Sequence, residues 1–192
     1  MPISSYQEIS CQQVLVDDAS VFSVQWSVFP ASISGSLSAE NLMTRYLDYI
    51  RSCTLSVIRP LRQESGIEFR LPGSRLSLIS FLPPSAEGES VVLRICGGFL
   101  VQPRQCRRGE LRFTVAPQQA GVRVSLQLSE FCPLILGSPS PSRLRFWLYR
   151  LTQATIHRLV TVRFLTLLYR ELAGSYARVR VISVHVREGQ PV

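Results

Sequence analysis

Residues 141–173 carry a helical apolar pattern with no glycine or proline after Pro141, and it follows a run from 66 to 130 in which apolar residues recur every second position. This change of period, from 2 to 3.6, restricts the fold more than any other feature of the chain. The later segment predicts a helix of about 33 residues, roughly 50 Å long. Ser140 is placed as its N-cap, Pro141 at its first position and Gly174 at its end. Leu144, Leu148, Leu151, Leu159, Val162, Leu165 and Leu172 form one stripe, and Phe146, Tyr149, Ile156, Val160, Phe164 and Leu167 widen it nearly all the way round. A helix apolar on several sides needs cover on several sides. The sheet would cover one, and another subunit or the N-terminal segment the other.

The earlier run predicts strands. Ile67, Phe69 and Leu71 alternate with Glu68 and Arg70, and Leu111, Phe113 and Val115 with Arg112 and Thr114. Val122, Val124, Leu126 and Leu128 alternate with Arg123, Ser125, Gln127 and Ser129, across a hairpin loop at 117–121. Such strands build an antiparallel sheet with one wet face and one covered face. Pro72-Gly73 marks a turn, Pro83-Pro84 a stop, and Gly97-Gly98 a bend in the apolar run 90–101. Upstream, 6–16 reads as an opening strand, 21–29 as strand or short helix, and 30–38 as a loop. A helix then starts at the N-cap Ser38, with Glu40 in its first turn. Its apolar residues are Leu42, Tyr46, Tyr49, Ile50, Cys53 and Val57, and Pro60 ends it near Ile58. Residues 176–187 read as a final strand, with Arg178 and Arg180 guarding an edge.

A chain of 192 residues suits one domain, 1–192, and needs neither a disulfide nor a metal to fold. Its five cysteines are odd in number and form no C-x-x-C, so they read as reduced thiols in a reducing, cytoplasmic setting. The first residues lack the basic and apolar regions of a secretory signal, and no run of 18 uncharged apolar residues predicts a transmembrane helix.

All 21 basic residues are arginine, and they are unevenly placed. The first 96 residues have a net charge of −2 and the last 96 a net charge of +10. Guanidinium groups are weakly hydrated and fork to carboxylate or phosphate. The densest cluster, Arg104, Arg107 and Arg108, is the candidate anion site. It has no interleaved aromatics for stacking on bases, so nucleic acid binding would be nonspecific and would fade with salt.

Motifs for chemistry are missing. There is no phosphate-binding loop, no dinucleotide fingerprint, no G-x-S-x-G and no H-E-x-x-H. Without lysine the chain cannot form a Schiff base. Asp17-Asp18 suits a turn, and His157 and His185 have no triad spacing. No catalytic residue, metal ligand or cofactor is assigned, and an enzyme is the less favoured reading. The expected inner face of the sheet carries nothing able to transfer a proton. Only Arg94, Cys96, Tyr149 and His157 could intrude, if the facing is off by one residue.

The order of strand, helix, antiparallel strands and long helix resembles the START / Bet v 1-like (SRPBCC, polyketide cyclase-like) helix-grip superfamily. The meander Gly109-Glu-Leu-Arg-Phe-Thr-Val through Gly121-Val-Arg-Val-Ser-Leu-Gln-Leu carries the resemblance, with the connection Phe131-Cys-Pro-Leu into helix 141–173. It spans about 40–173, leaving 174–192 as a strand or tail. Two features depart from it: a strand after the long helix, and one clear helix, not two, after the first strand. The resemblance implies an α+β fold, a curved antiparallel sheet packed around the long C-terminal helix, with an apolar cavity between them. It implies non-catalytic binding of a hydrophobic or amphipathic small molecule. Phe69, Leu93, Ile95, Phe113, Val124, Leu126, Trp147 and Leu151 would line the cavity. Two alternatives stand beside it. One is a protein–protein interaction or assembly module, including a homo-oligomer, that uses the apolar helix and the C-terminal strand. The other is a cyclase-like enzyme with His157 and Tyr149 inside the cavity.

Overall fold

Pairing begins at the N-terminus, where β1 (Tyr6–Leu15) and β2 (Val21–Phe29) form an antiparallel hairpin. The computed structural model describes residues 6–102, 108–137, 143–174 and 178–192. Asp18 closes the β1–β2 turn, its carboxylate accepting from Ser20 N at 2.9 Å, and Ala19 takes φ 59°. The ambiguous segment 21–29 is therefore a strand. Val21, Ser23, Gln25, Ser27 and Phe29 share one of its faces.

The stretch read as a loop at 30–38 holds a short helix, α1 (Ala31–Ser34), which supplies the second helix that seemed to be lacking. Pro30 presets the backbone ahead of it, and Ser34 Oγ bonds back to the Pro30 carbonyl at 2.9 Å. Next comes α2 (Ala39–Cys53), capped as expected by Ser38 Oγ, which accepts from Asn41 N at 3.1 Å. This helix stops at Cys53, short of the expected 58. Thr54 Oγ1 donates to Ile50 O at 2.7 Å and accepts from Ile58 N at 3.1 Å, while Leu55 and Ser56 turn to positive φ. That local bonding displaces the helical alternative. Pro60 therefore sits in a strand, β3 (Arg59–Gln63), at an edge of the sheet where a missing N–H is tolerated.

The remaining strands are β4 (Gly66–Arg70), β5 (Ser77–Phe81), β6 (Ser85–Glu87), β7 (Ser90–Gly97), β8 (Glu110–Gln118) and β9 (Gly121–Phe131), with β10 (Arg178–Ser183) and β11 (Gln190–Pro191) after the helix. They form one open sheet in the order β10-β1-β2-β9-β8-β7-β5-β4-β3, with β6 on β7 and β11 on β1. The expectation of a purely antiparallel sheet is corrected, because β10 pairs in parallel with β1 from Tyr6↔Arg178 to Cys11↔Ser183. The chain returns to the β1 edge only after crossing the whole length of the helix, so it arrives in the parallel sense. The β8–β9 hairpin turns more tightly than its expected loop: Gln118 pairs with Gly121, whose φ of 142° and close approach to the Phe29 carbonyl require glycine.

The C-terminal helical segment is α3 (Arg143–Tyr149), a π turn at Arg150–Ala154, and α4 (Thr155–Ala173) ending at Gly174 with φ 61°. The π turn takes up extra residues and rotates everything after it. A stripe counted at uniform pitch therefore fails. Leu144 and Leu159 are 78% and 63% exposed, while Tyr149, Ala154, Thr161, Phe164, Leu165 and Leu168 face the core.

The cover of the sheet also differs from expectation. Helix α2 packs on β3, β7 and β8, and α4 lies chiefly on β1, β2 and α2. Leu42, Met43, Tyr46, Leu47 and Ile50 already fill the face of the central strands, which leaves the longer helix the N-terminal hairpin. The Tyr46 ring meets that of Phe113 at a tilt, 5.5 Å away, and that of Phe164 edge-on at 5.2 Å, joining the two helices over the sheet. The opposite face is wet. There Arg112 bonds Glu87 and Glu110, and the Arg123 guanidinium lies 4.3 Å from the Trp26 ring centre. The result is an α+β fold consistent with a helix grip.

The cysteines are not all reduced. Cys11, Cys53 and Cys96 are free thiols, but Cys132 is in a disulfide. Spacing alone does not reveal this. It depends on the long connection after β7 returning to pair Val101 with Pro133 and Gln102 N with the Cys132 carbonyl.

Candidate functional site

Beneath the N-terminal half of α4 the sheet is polar. In β1 and β2, Cys11 lies opposite Gln25 and Gln13 opposite Ser23. Residues directly opposite in an antiparallel pair share a face. Phe29, on that same face of β2, meets Tyr169 of α4 edge-on at 5.2 Å, so the face looks at the helix. All four side chains are buried, Gln25 and Ser23 completely.

The direction of the helix sets what lies above them. Val21 pairs with Phe131, and the chain passes from there through the 3-10 turn Leu134–Leu136, against which α3 packs. The other end is tied down where Glu171 meets Arg45 of α2 at 2.7 Å. Helix and β2 therefore run the same way. Moving from Phe29 back to Gln25 covers roughly 13 Å, equivalent to about nine helical residues counted back from Tyr169. This count brings wholly buried Thr161 to the level of Gln25, with partly buried His157 one helical turn before it.

Within this group Gln25 Nε2 donates to Ser23 Oγ at 2.9 Å and lies 3.5 Å from Cys11 Sγ. Gln25 Oε1 and Gln13 Nε2 complete no hydrogen bond, nor does Gln153 Oε1 on the π turn, while the buried Thr161 hydroxyl lies against the Tyr46 phenol. Native interiors leave few such atoms, and each costs about 1–3 kcal/mol. Burial pushes the Tyr46 phenol above its usual range, and the adjacent Thr161 hydroxyl partly offsets this. Burial alone raises the Tyr149 phenol. It pulls His157 down to about 4, so that imidazole is neutral near pH 7. Amides, a hydroxyl and a thiol thus meet on this face of β1 and β2, with no carboxylate or arginine among them. Among the described residues no three His, Cys, Asp or Glu side chains gather as metal ligands. None of the described helices is long and apolar enough to cross a membrane.

No protein-family model matches the chain, and no curated protein matches it significantly. The crystal structure of CalU16 from Micromonospora echinospora is similar to it at 11% identity, over 64% of this chain and 68% of that one, with a TM-score of 0.33. The solution structure of the same protein is similar at 12% identity, over 68% of this chain and 64% of that one, with a TM-score of 0.33. At that overlap the fold rests on the strand order and helix packing given above.

The residues expected to line a cavity fall in different places. Leu93, Ile95, Phe113, Val124 and Leu126 are buried in the main core, and Phe69 is half-buried against Phe81 at 5.4 Å. Leu126 lies opposite Gln25, and Val124 opposite Ser27, so these two adjoin the polar group. Trp147 is 52% exposed, with the Arg150 guanidinium 5.3 Å from its ring. The Leu151 side chain lies outside the described residues, as do Arg104 and Arg107. Arg108 is paired with Asp18 and lies 3.6 Å from Glu130. His185 meets Glu188 at 3.0 Å on the exposed surface.

Gln13, Ser23, Gln25 and Thr161 escaped the sequence reading. Their signal lies in β2, where Phe22, Val24, Trp26 and Val28 alternate against Ser23, Gln25 and Ser27. Hydrophobicity alone turns the aromatic set inward. In the fold that set packs outside, on Val14 and Val16, with Arg187 over the Phe22 ring at 5.5 Å.

Proposed function

We propose that this domain binds an amphipathic small molecule non-catalytically between the sheet and the C-terminal helix. The supporting observation is a pair of unpaired buried atoms on one face of the β1–β2 hairpin, Gln13 Nε2 and Gln25 Oε1. One is a donor and the other an acceptor. A ligand head that both gives and takes hydrogen bonds completes them, as an alcohol or an amide does. The head is uncharged, because no side chain in the group supplies a counter-charge and an unpaired buried ion is very costly. The apolar body lies along Val124, Leu126 and Leu165, the buried aliphatic residues that adjoin the group. The π turn, a feature frequent at functional sites, carries Gln153, whose Oε1 is also unpaired.

Native mass spectrometry of protein purified without organic solvent tests this reading, together with thermal unfolding in the presence of long-chain alcohols and amides. A ligand at a hundred times its Kd stabilises the fold by about 2.7 kcal/mol. Gln25→Met should abolish that stabilisation. A bare mass with no stabilisation by any amphiphile overturns the proposal.

A further inference from the structure

We infer that the solvent face of the C-terminal helix docks on an anionic lipid surface. Five large apolar side chains stand exposed along it: Leu144 at 78%, Trp147 at 52%, Ile156 at 59%, Leu159 at 63% and Leu167 at 42%. Ile156, Leu159, Arg163 and Leu167 follow at steps of three and four, so they form one stripe directly opposite buried Thr161, Phe164, Leu165 and Leu168. Arg150, Arg158 and Arg163 are exposed on the same helical segment. No aspartate or glutamate occurs between Glu130 and Glu171, and Glu171 is bound to Arg45. An exposed apolar stripe of this size marks an interaction site.

Charge selects the occupant. A second copy seated face to face would oppose arginines to arginines, with no carboxylate on either side to neutralise them. A polyanion without apolar groups would leave Trp147, Ile156 and Leu159 in water. An anionic bilayer surface satisfies both halves, since its headgroups meet the guanidinium groups and its acyl boundary takes the indole and aliphatic chains. The helix lies in the interface and does not cross it, in keeping with its charge. This inference does not depend on the ligand reading, because it concerns the opposite face of the helix.

Flotation of the full chain with vesicles tests it. The protein should float with phosphatidylcholine–phosphatidylglycerol vesicles, stay behind with pure phosphatidylcholine, and release at high salt. Removing the charge of both Arg158 and Arg163 as glutamine should weaken binding roughly 25-fold, at about fivefold for each arginine. Ile156→Asp with Leu159→Asp should abolish it, and both positions are exposed, so unchanged circular dichroism and Tm establish that the variant is folded. In a Trp26→Phe protein, Trp147 emission should shift to the blue on adding the anionic vesicles. Failure to float, equal binding to neutral vesicles, or full binding by the aspartate pair overturns the inference. So does a stable dimer that the aspartate pair dissolves, or a salt-sensitive association with DNA in place of vesicles.

Discussion

Replacing Gln25 tests whether the polar group beneath α4 is held open for a partner. Its amide makes one good hydrogen bond, to Ser23 Oγ at 2.9 Å, and one long contact to Cys11 Sγ at 3.5 Å. Its oxygen has no partner. Methionine matches the side chain in length and flexibility. In ligand-free protein Gln25→Met loses a bond worth about 1 kcal/mol and leaves the Ser23 hydroxyl alone, but it also removes an unpaired acceptor that costs about 1–3 kcal/mol. These effects nearly cancel, so the single variant should lie within about 1 kcal/mol of the parent. Adding Ser23→Ala removes the orphaned hydroxyl, and the pair should be more stable than the single variant by about 1 kcal/mol. Guanidinium unfolding of ligand-stripped protein measures both, with an unchanged m-value certifying the comparison. A buried glutamine with all its bonds made would behave differently. A loss above about 2 kcal/mol in Gln25→Met, with no recovery in the pair, means that the amide is already satisfied and the site has no vacancy.

His157 makes stability depend on pH. Burial holds its folded pKa at about 4 against an ordinary 6.5, so the stability it contributes is present above pH 6.5 and lost as pH falls toward 4. His157→Gln should flatten that part of the profile, and an unchanged slope between those limits disproves the burial. Thiol labelling in denaturant should modify Cys11, Cys53 and Cys96 before reduction and Cys132 only afterwards. Cys132→Ser should cost about 2–4 kcal/mol, and labelling of Cys132 without reductant would refute the disulfide. Amide hydrogen exchange should be faster across 143–160 than across 161–172, and uniform protection along the helix contradicts the uneven anchoring seen here.

The central sheet was legible because each of its signals is local. The alternation in β8 and β9 needs only neighbouring residues, and so do the Ser38 cap and the Gly174 stop. Errors arose where a distant element competed. Pro60 ends a helix in any local reading, yet here it starts an edge strand, because Thr54 closes the chain into a turn six residues earlier. Assigning the long helix to the central strands overlooked Tyr46 and Leu42, which reach those strands first from α2. The candidate site was hidden for a related reason. A strand with aromatics on one face and serine and glutamine on the other is normally turned aromatic side inward. In β2 the rule inverts because Arg123 and Arg187 shield Trp26 and Phe22 on the outside. No spacing rule carries a guanidinium from residue 187 to a ring at residue 22.

The same helix accounts for both the polar group and the exposed stripe. Its C-terminal half is anchored by Phe29 on Tyr169, by Tyr46 and Tyr49 on Phe164, and by Glu171 on Arg45. From 155 to 160 four side chains are exposed and only His157 and Val160 are partly buried, and the π turn precedes this stretch. The unpaired atoms of Gln13 and Gln25 lie on the sheet face below this helix. Such an arrangement is costly for a domain whose only task is to stay folded, since two apolar side chains in place of the glutamines would remove the deficit. It is reasonable for one that must admit a molecule: the firm half fixes the position of the helix, and the loose half is the part able to yield. Leu144, Trp147, Ile156 and Leu159 belong to the loose half, so a lipid surface that takes them up acts on the part of the helix best able to yield, while the anchored half stays as it is.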